Sequence, residues 1–219
     1  MLSSVRRALT PTPVAVFLAL ALSRIASGSL IFNNSFETPV QSLDGFTYDP
    51  GGSGWTFDGN SGIAAEGSPW FSGSPPDGVQ AALLQAYEPD GPASTDSISQ
   101  TLTGLNVGDT YQFTLYAALR PGFPVDDFDV LLGGTVIADV VATSTSFAQF
   151  TTSGIVATSS TMALTFQALN TADSFDADVA IDLVQGVDVT TSGIPEPSSV
   201  ALVGFGVASL TWLRRRKCT

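Results

Sequence analysis

Short runs in which apolar and polar residues alternate make up most of the chain between residues 97 and 184. Residues 111–117 are the clearest example, because Tyr, Phe, Leu and Ala alternate with Gln, Thr and Tyr, as in a half-buried strand. The same alternation recurs in residues 97–102, 128–132, 135–140, 147–151, 162–166 and 179–184. Turn residues such as Gly133 and Gly134 separate the runs, and no helical period is sustained. The pattern therefore predicts an all-β fold, an antiparallel β-sandwich or jelly roll.

The N-terminus has a different pattern. Arg6 and Arg7 precede a short apolar stretch, residues 14–22, and Ala26, Ser27 and Gly28 supply small residues for cleavage. This order is typical of a secretory signal peptide, which we place at residues 1–28. Residues 29–193 then form one exported domain, long enough for a single core.

The C-terminus, residues 194–219, combines three features. A Pro-Glu-Pro step is followed by an uncharged, mostly apolar run, 198–213, and then by a basic cluster. The residues concerned are Pro195, Glu196 and Pro197, and Arg214, Arg215, Arg216 and Lys217. The apolar part predicts a short transmembrane helix, since residues 200–213 would span about 21 Å of a hydrocarbon core about 30 Å thick. The basic cluster predicts a cytoplasmic end.

In this order, the three features resemble the PEP-CTERM sorting signal of Gram-negative bacteria that make extracellular polysaccharide. The resemblance implies a membrane exosortase that cleaves near Pro195, Glu196 and Pro197. It also implies export, transient anchoring in the inner membrane, and a final place at the cell surface or outside the cell.

Charge in residues 29–193 is strongly negative, with 19 Asp and Glu against one Arg, a net charge of −18. Nucleic acid is excluded as a partner, because almost no phosphate could be neutralised. Cations suit such a surface, and calcium above all, since the chain offers oxygen ligands. The alternative is that most of the carboxylates only keep the domain soluble.

Missing residue types narrow the chemistry further. The chain has no His, and its single cysteine is Cys218, in the tail. A Ser-His-Asp triad, most zinc sites and a disulfide are therefore excluded from the domain. A glycosidase that uses paired carboxylates stays possible, but the sequence favours a protein that is not an enzyme.

Residues 32–37, with the sequence F-N-N-S-F-E, and residues 179–184, V-A-I-D-L-V, resemble the opening and closing strands of galactose-binding-like jelly-roll domains. Two departures are Asn34, where Gly is usual, and Leu183, where a second Asp is frequent. The resemblance implies a structural calcium held by Glu37 and Asp182. The alternative is that Asp182 is the solvent-facing residue of an edge strand.

Aromatic residues in the loop-rich part, residues 44–95, are candidates for stacking on sugar rings. They are Trp55, Trp70, Phe71 and Tyr87, and core packing is the alternative for each. Arg120, the lone cation of the domain, is expected to form a structural ion pair, and a ligand contact is the alternative. Asp173, Asp176 and Asp178 are expected to be solvated, and a second, weak cation site is the alternative.

These features together predict an exported protein whose β-sandwich binds carbohydrate of the extracellular polysaccharide matrix. The first alternative is an acidic structural matrix protein that binds no glycan. The second is an enzyme that acts on polysaccharide.

Overall fold

The computed structural model describes residues 29–87, 96–169 and 176–190, and within them the chain forms twelve β-strands. The strands are β1 Phe46–Tyr48, β2 Thr56–Asp58, β3 Ser61–Ala65, β4 Gln80–Tyr87, β5 Ser97–Thr103, β6 Thr110–Leu119, β7 Asp126–Leu132, β8 Thr135–Ala142, β9 Ala148–Thr151, β10 Ile155–Val156, β11 Thr161–Ala168 and β12 Asp176–Asp188. None of the described residues forms a helix that could cross a membrane, and the predicted transmembrane segment lies outside them.

The strands form two antiparallel sheets. One has seven strands in the order β1-β3-β4-β12-β6-β10, with β9 also paired to β6. The other has five, in the order β2-β5-β11-β7-β8. From β4 onward the chain passes repeatedly between the sheets, and neighbours such as β12 and β6 are distant in sequence. The predicted all-β sandwich is therefore confirmed.

Alternation along the strands explains the core. In β6, Tyr111, Phe113 and Leu115 are buried between the sheets, while the intervening residues are only partly buried. Trp55, just before β2, stacks within the same core, and its ring centroid lies 5.8 Å from that of Phe166 in β11. Burial of such large rings, together with the aliphatic side chains of the core, stabilises the sandwich through the hydrophobic effect.

The turn between β7 and β8 is the predicted hairpin. Gly133 and Gly134 both have positive φ, 58° and 80°, which a tight two-residue turn of this kind requires and which glycine adopts without strain.

The predicted opening strand at residues 32–37 is wrong. These residues form a turn in which the Phe36 N–H donates to the Asn33 carbonyl, 3.1 Å away. The Gln100 side chain of β5 bonds both the N–H and the carbonyl of Phe32, each at 2.9 Å. A side chain therefore takes the place of a neighbouring strand as the backbone partner, and the strand implied by the resemblance is replaced by a turn.

A second apolar cluster lies on the outer face of the seven-stranded sheet. Trp70 and Phe71 come from residues 66–79, which we call the covering loop, and they pack over small or apolar strand residues. Those strand residues are Ala64, Ala81, Leu83 and Ala180, with Phe147 beside them. The covering loop thus divides the outer face into two ends.

Candidate functional site

Glu37 follows the turn at residues 32–36 and reaches the end of the covering loop. Its Oε1 accepts hydrogen bonds from the backbone N–H of Val79, at 2.9 Å, and of Gln80, at 2.8 Å. Gly78 makes this approach possible, because a Cβ there would lie 2.2 Å from the Glu37 Oε1 and its φ is +71°. Glu37 is therefore held against the loop by backbone donors.

Gln80 fixes the same turn from the opposite side. This fully buried side chain donates from Nε2 to the carbonyls of Phe36, at 2.7 Å, and Pro39, at 3.1 Å. Its Oε1 accepts from the N–H of Gln41. One glutamine in β4 thus positions the segment that carries Glu37.

Asp182 reaches the same loop from β12. It is 0% exposed, and its Oδ2 accepts a hydrogen bond from the Asp77 N–H at 2.9 Å. Its Oδ1 is buried and has no hydrogen-bond partner among the described residues. The pKa of Asp182 is raised to about 7, chiefly by burial and to a lesser extent by the nearby charges of Asp77 and Glu37, while hydrogen bonds from the N–H groups of Asp77 and Leu183 lower it. The alternative in which Asp182 is a solvent-facing residue of an edge strand is wrong, because Asp182 is fully buried beneath the covering loop.

The covering loop therefore brings Glu37 and Asp182 to neighbouring backbone groups, Asp77 and Val79. No three His, Cys, Asp or Glu side chains converge on a metal position within the parts of the chain described. A calcium here would need backbone carbonyls and waters to complete its shell, which that ion accepts. The buried Asp182 Oδ1 is an oxygen atom without a hydrogen-bond partner among the described residues. These residues therefore fit a cation, which would bind that oxygen and compensate the buried charge.

The predicted stacking residues are mostly core residues. Trp55 is 6% exposed, Trp70 1% and Phe71 3%, so none of the three rings offers a free face. Trp55 lies 5.0 Å from Phe36 between ring centroids, and its Nε1 donates to the Asn33 carbonyl at 3.0 Å. The prediction that Trp55, Trp70 and Phe71 stack on sugar rings is therefore wrong, because their side chains are packed inside the protein. The side chain of Tyr87 lies outside the described residues.

A groove of about 510 Å³ does lie on the outer face beside Asp182. Tyr116 and Phe147, both half-buried, contribute aromatic rings, and Leu183 and Pro76 lie at the end nearest the acid pair. Ser72 closes the opposite side by donating to the Thr145 carbonyl at 3.2 Å. Serine hydroxyls complete the lining, at Ser72, Ser74 and Ser146.

The sequence pattern did not predict these groove residues, for two reasons. Tyr116 occupies a polar position in the alternation of β6 and faces outward opposite Asp182, its partner in the register. Phe147 belongs to a connection whose position relative to β6 depends on the pairing of β9. An aromatic at a polar strand position was the signal available for Tyr116.

Arg120 lies at the other end of the same face and is paired, as expected. Its Nη1 is 2.7 Å from the Asp178 Oδ2, and its guanidinium lies 4.1 Å from the centroid of the Trp70 ring and 4.0 Å from that of Phe123. Asp178 is 0% exposed, so the expectation that it is solvated is wrong. Asp173, and the side chain of Asp176, lie outside the described residues.

Comparisons with known proteins bear on the two parts of the chain separately. Residues 193–217 match the PEP-CTERM protein-sorting motif. All seven predicted sorting residues, from Pro195 to Lys217, fall within the match and outside the described structure. The motif indicates export and sorting at the membrane. No curated protein matches the chain.

The sandwich is similar in fold to solved carbohydrate-binding modules. The CBM22-1 xylan-binding domain from Paenibacillus barcinonensis Xyn10C is 15% identical over 69% of this chain and 99% of its own, with a TM-score of 0.46. A CBM36 module in complex with calcium and xylotriose is 16% identical over 61% and 98%, with a TM-score of 0.40. An arabinose-bound α-L-arabinofuranosidase is 17% identical over 72% of this chain and 26% of its own, with a TM-score of 0.45. At these identities the likeness concerns the fold alone. The chain thus contains a β-sandwich of jelly-roll type followed by a PEP-CTERM sorting motif.

Proposed function

We propose that this protein is exported, is cleaved by an exosortase near Pro195, Glu196 and Pro197, and binds polysaccharide of the extracellular matrix through its β-sandwich. The glycan lies in the groove beside Asp182. Tyr116 and Phe147 stack on sugar rings there. The hydroxyls of Ser72 and Ser74, which already donate within the protein, accept hydrogen bonds from sugar hydroxyls, and that of Ser146 both donates and accepts. The protein carries out no chemical step on the glycan. Its final place is the cell surface or the extracellular space.

The groove is the observation that carries this proposal. Aromatic rings attract the apolar C–H faces of sugars, and hydroxyl groups can both donate and accept hydrogen bonds. Tyr116 and Phe147 combine with three serines in one groove of about 510 Å³, which could hold a few sugar units but no large folded partner. The domain's net charge of −18 favours neutral glycans over anionic ones.

Calcium is the proposed structural ion, held by Glu37 and Asp182. It would keep Asp182 ionised and neutralise the repulsion between the two carboxylates. Pro76 lines the groove, and the next residue of the covering loop, Asp77, donates its N–H to Asp182. An ion at this place would therefore fix one wall of the groove, and glycan binding would depend on it.

An acidic matrix protein without a glycan site is the second candidate, favoured by the net charge. The two are separated by electrophoresis of the purified full-length chain, in a detergent without a sugar headgroup, through gels cast with xylan, β-1,4-galactan or β-glucan. Retardation in one polysaccharide, lost when calcium is chelated, is the expected result. No retardation in any gel would favour the acidic matrix protein.

Variants locate the binding. Tyr116→Ala combined with Phe147→Ala should weaken binding about tenfold or more, which is the effect of losing about 1.4 kcal/mol or more of stacking. Tyr48→Ala is the matched control, because Tyr48 is 41% exposed on the same face but lies outside the groove. If the Tyr48 variant loses binding and the groove variant keeps it, the groove is the wrong site.

A further inference from the structure

A second cleft, of about 620 Å³, lies at the end of the sandwich where β12 finishes. Three separate segments line it: residues 29–34, the connection from β5 to β6, and the last residues of β12. It is the larger of the two clefts described here. Neither the proposed glycan groove nor the calcium site uses it.

Uncharged amide groups from all three segments meet in this cleft. Asn34, Asn106 and Gln185 line it, and none of their side chains makes a hydrogen bond to another described residue. Asn34 is half-buried. An amide both donates and accepts hydrogen bonds, so the three together offer donors and acceptors in one place.

The backbone of β12 adds to this lining. β4 pairs with β12 only as far as Ile181, so the later residues of β12 have one open edge. The Val184 N–H points to that edge, where it donates to the Asn34 carbonyl at 2.8 Å. Because backbone groups alternate along an antiparallel strand, those of Gly186 point the same way, into the cleft.

The charges and remaining polar groups limit the class of ligand. Asp188 is the single carboxylate among the lining residues, and its Oδ1 already accepts from the Thr190 N–H at 2.8 Å. The lining contains no Lys, Arg or His, so nothing there would neutralise an anion. The Tyr111 hydroxyl accepts from the Asn106 N–H at 3.0 Å and keeps its own proton to donate. These groups suit a neutral ligand rich in hydroxyls.

We propose that this amide-lined cleft is a second saccharide site, which makes the domain bivalent and able to connect two glycan chains. The inference rests on the proposed function in one respect, since connecting chains requires the groove to bind glycan as well. The two sites use opposite sides of β6: Tyr111 of the cleft belongs to the core-facing side, and Tyr116 of the groove to the outer side. Two chains can therefore bind at once.

The test uses the purified full-length chain in a detergent without a sugar headgroup, with calcium present. The probes are soluble xylan, β-1,4-galactan and β-glucan. Two quantities are measured on each polymer: retardation in affinity gels, and the growth of polymer aggregates by light scattering as protein is added. The variant is Asn106→Ala with Gln185→Ala, both exposed positions, and the control is Gln167→Ala, an amide in the other sheet. Melting curves confirm that each variant folds.

Wild-type protein and the Gln167 variant should be retarded and should cross-link the same polymer. The cleft variant should bind about tenfold more weakly to the polymer and lose cross-linking, because one site remains and avidity is lost. Cross-linking by the cleft variant at the wild-type level would overturn the second site and leave the groove proposal intact. Wild-type protein that binds but never cross-links would overturn it too, whereas absence of all binding would overturn both proposals.

Discussion

Asp178 and Asp182 lie four residues apart on one face of β12, and both are 0% exposed. Asp178 has the guanidinium of Arg120 at 2.7 Å. Asp182 has no cation within the described structure, and its Oδ2 accepts a hydrogen bond from the Asp77 N–H. A buried carboxylate destabilises the fold unless a cation or hydrogen bonds compensate its charge. The same strand therefore contains one carboxylate that is paired with a cation, Asp178, and one that is not, Asp182. The chain supplies a single cation to residues 29–193, and Asp178 takes it.

Two species from the solvent can compensate the buried charge of Asp182. A proton removes the charge of Asp182, as its raised pKa of about 7 indicates. The proposed calcium would instead compensate the charge of Asp182, and Glu37 would share the ion. We therefore predict that the Asp178 end of the outer face needs no added ion, whereas the stability of the Asp182 end falls with rising pH and rises with calcium.

The largest expected effect comes from removing the ion pair between Arg120 and Asp178. Arg120→Ala removes the guanidinium from a buried carboxylate and from between the rings of Trp70 and Phe123. Losing one partner of a buried ion pair costs about 3–5 kcal/mol, so the melting temperature should fall sharply in thermal unfolding followed by circular dichroism.

The matched variant is Arg120→Ala combined with Asp178→Asn, which removes both charges. It should recover part of the loss, because no buried charge is left without its cation. If Arg120→Ala alone melts like the wild-type protein, the pair does not support the fold, and the contrast with Asp182 loses its basis.

The next effect concerns pH in the absence of calcium. The folded-state pKa of Asp182 is raised from 3.8 to about 7, so between these values the folded chain keeps a proton that the unfolded chain releases. Stability should therefore fall as pH rises through this window, by at most about 4 kcal/mol, and level off above it. Melting temperatures measured with chelator from pH 4 to pH 8 check this.

Asp182→Asn is the control for that decline, because other carboxylates also ionise as pH rises. The variant should lose the part of the decline in melting temperature that is due to Asp182. The difference between the wild-type and variant curves of melting temperature against pH measures that part. Calcium should raise the wild-type melting temperature most at pH 8, where it replaces no proton, and should change the variant little. Equal calcium responses in both proteins would place the ion elsewhere.

Sequence patterns predicted the strands well because alternation is a local property. The predicted run 97–102 corresponds to β5, and 128–132 falls within β7. The residues whose roles were wrong depend on distant contacts. Trp70 is buried because the covering loop folds back over the sheet. Asp178 is buried where β12 pairs with β4, and Arg120, directly after β6, lies beside it. Neither fact is encoded within a few residues of the position concerned.

Glu37 and Asp182 were predicted in part: the resemblance named them as a pair, but not the structure that positions them. A resemblance implied that Glu37 and Asp182 belong together, and both contact the end of the covering loop, although the opening segment is a turn and not a strand. The carboxylates are positioned by backbone N–H groups of residues 77–80, which have no signature in side-chain type. The groove was missed for the same reason, since it exists only once the loop lies beside Tyr116.

The smallest effect tests whether burial, and not acidity as such, creates the need for a cation. Asp129 of β7 and Asp139 of β8 are direct partners across the five-stranded sheet, and Asp139 is exposed. The pKa of Asp129 is raised by partial burial and then by the charges of Asp139 and Asp127. Facing like charges destabilise a sheet only slightly when water screens them.

Asp139→Thr should therefore stabilise the protein at pH 7 by about 0.5 kcal/mol, measured by urea unfolding. The gain should shrink in 1 M salt, which screens the repulsion, and at pH 3, where Asp129 is protonated because its pKa is raised. A gain of several kcal/mol would mean that exposed acids of this domain also lack compensation. In that event calcium would act through the whole acidic surface, and Asp182 would not be a special position.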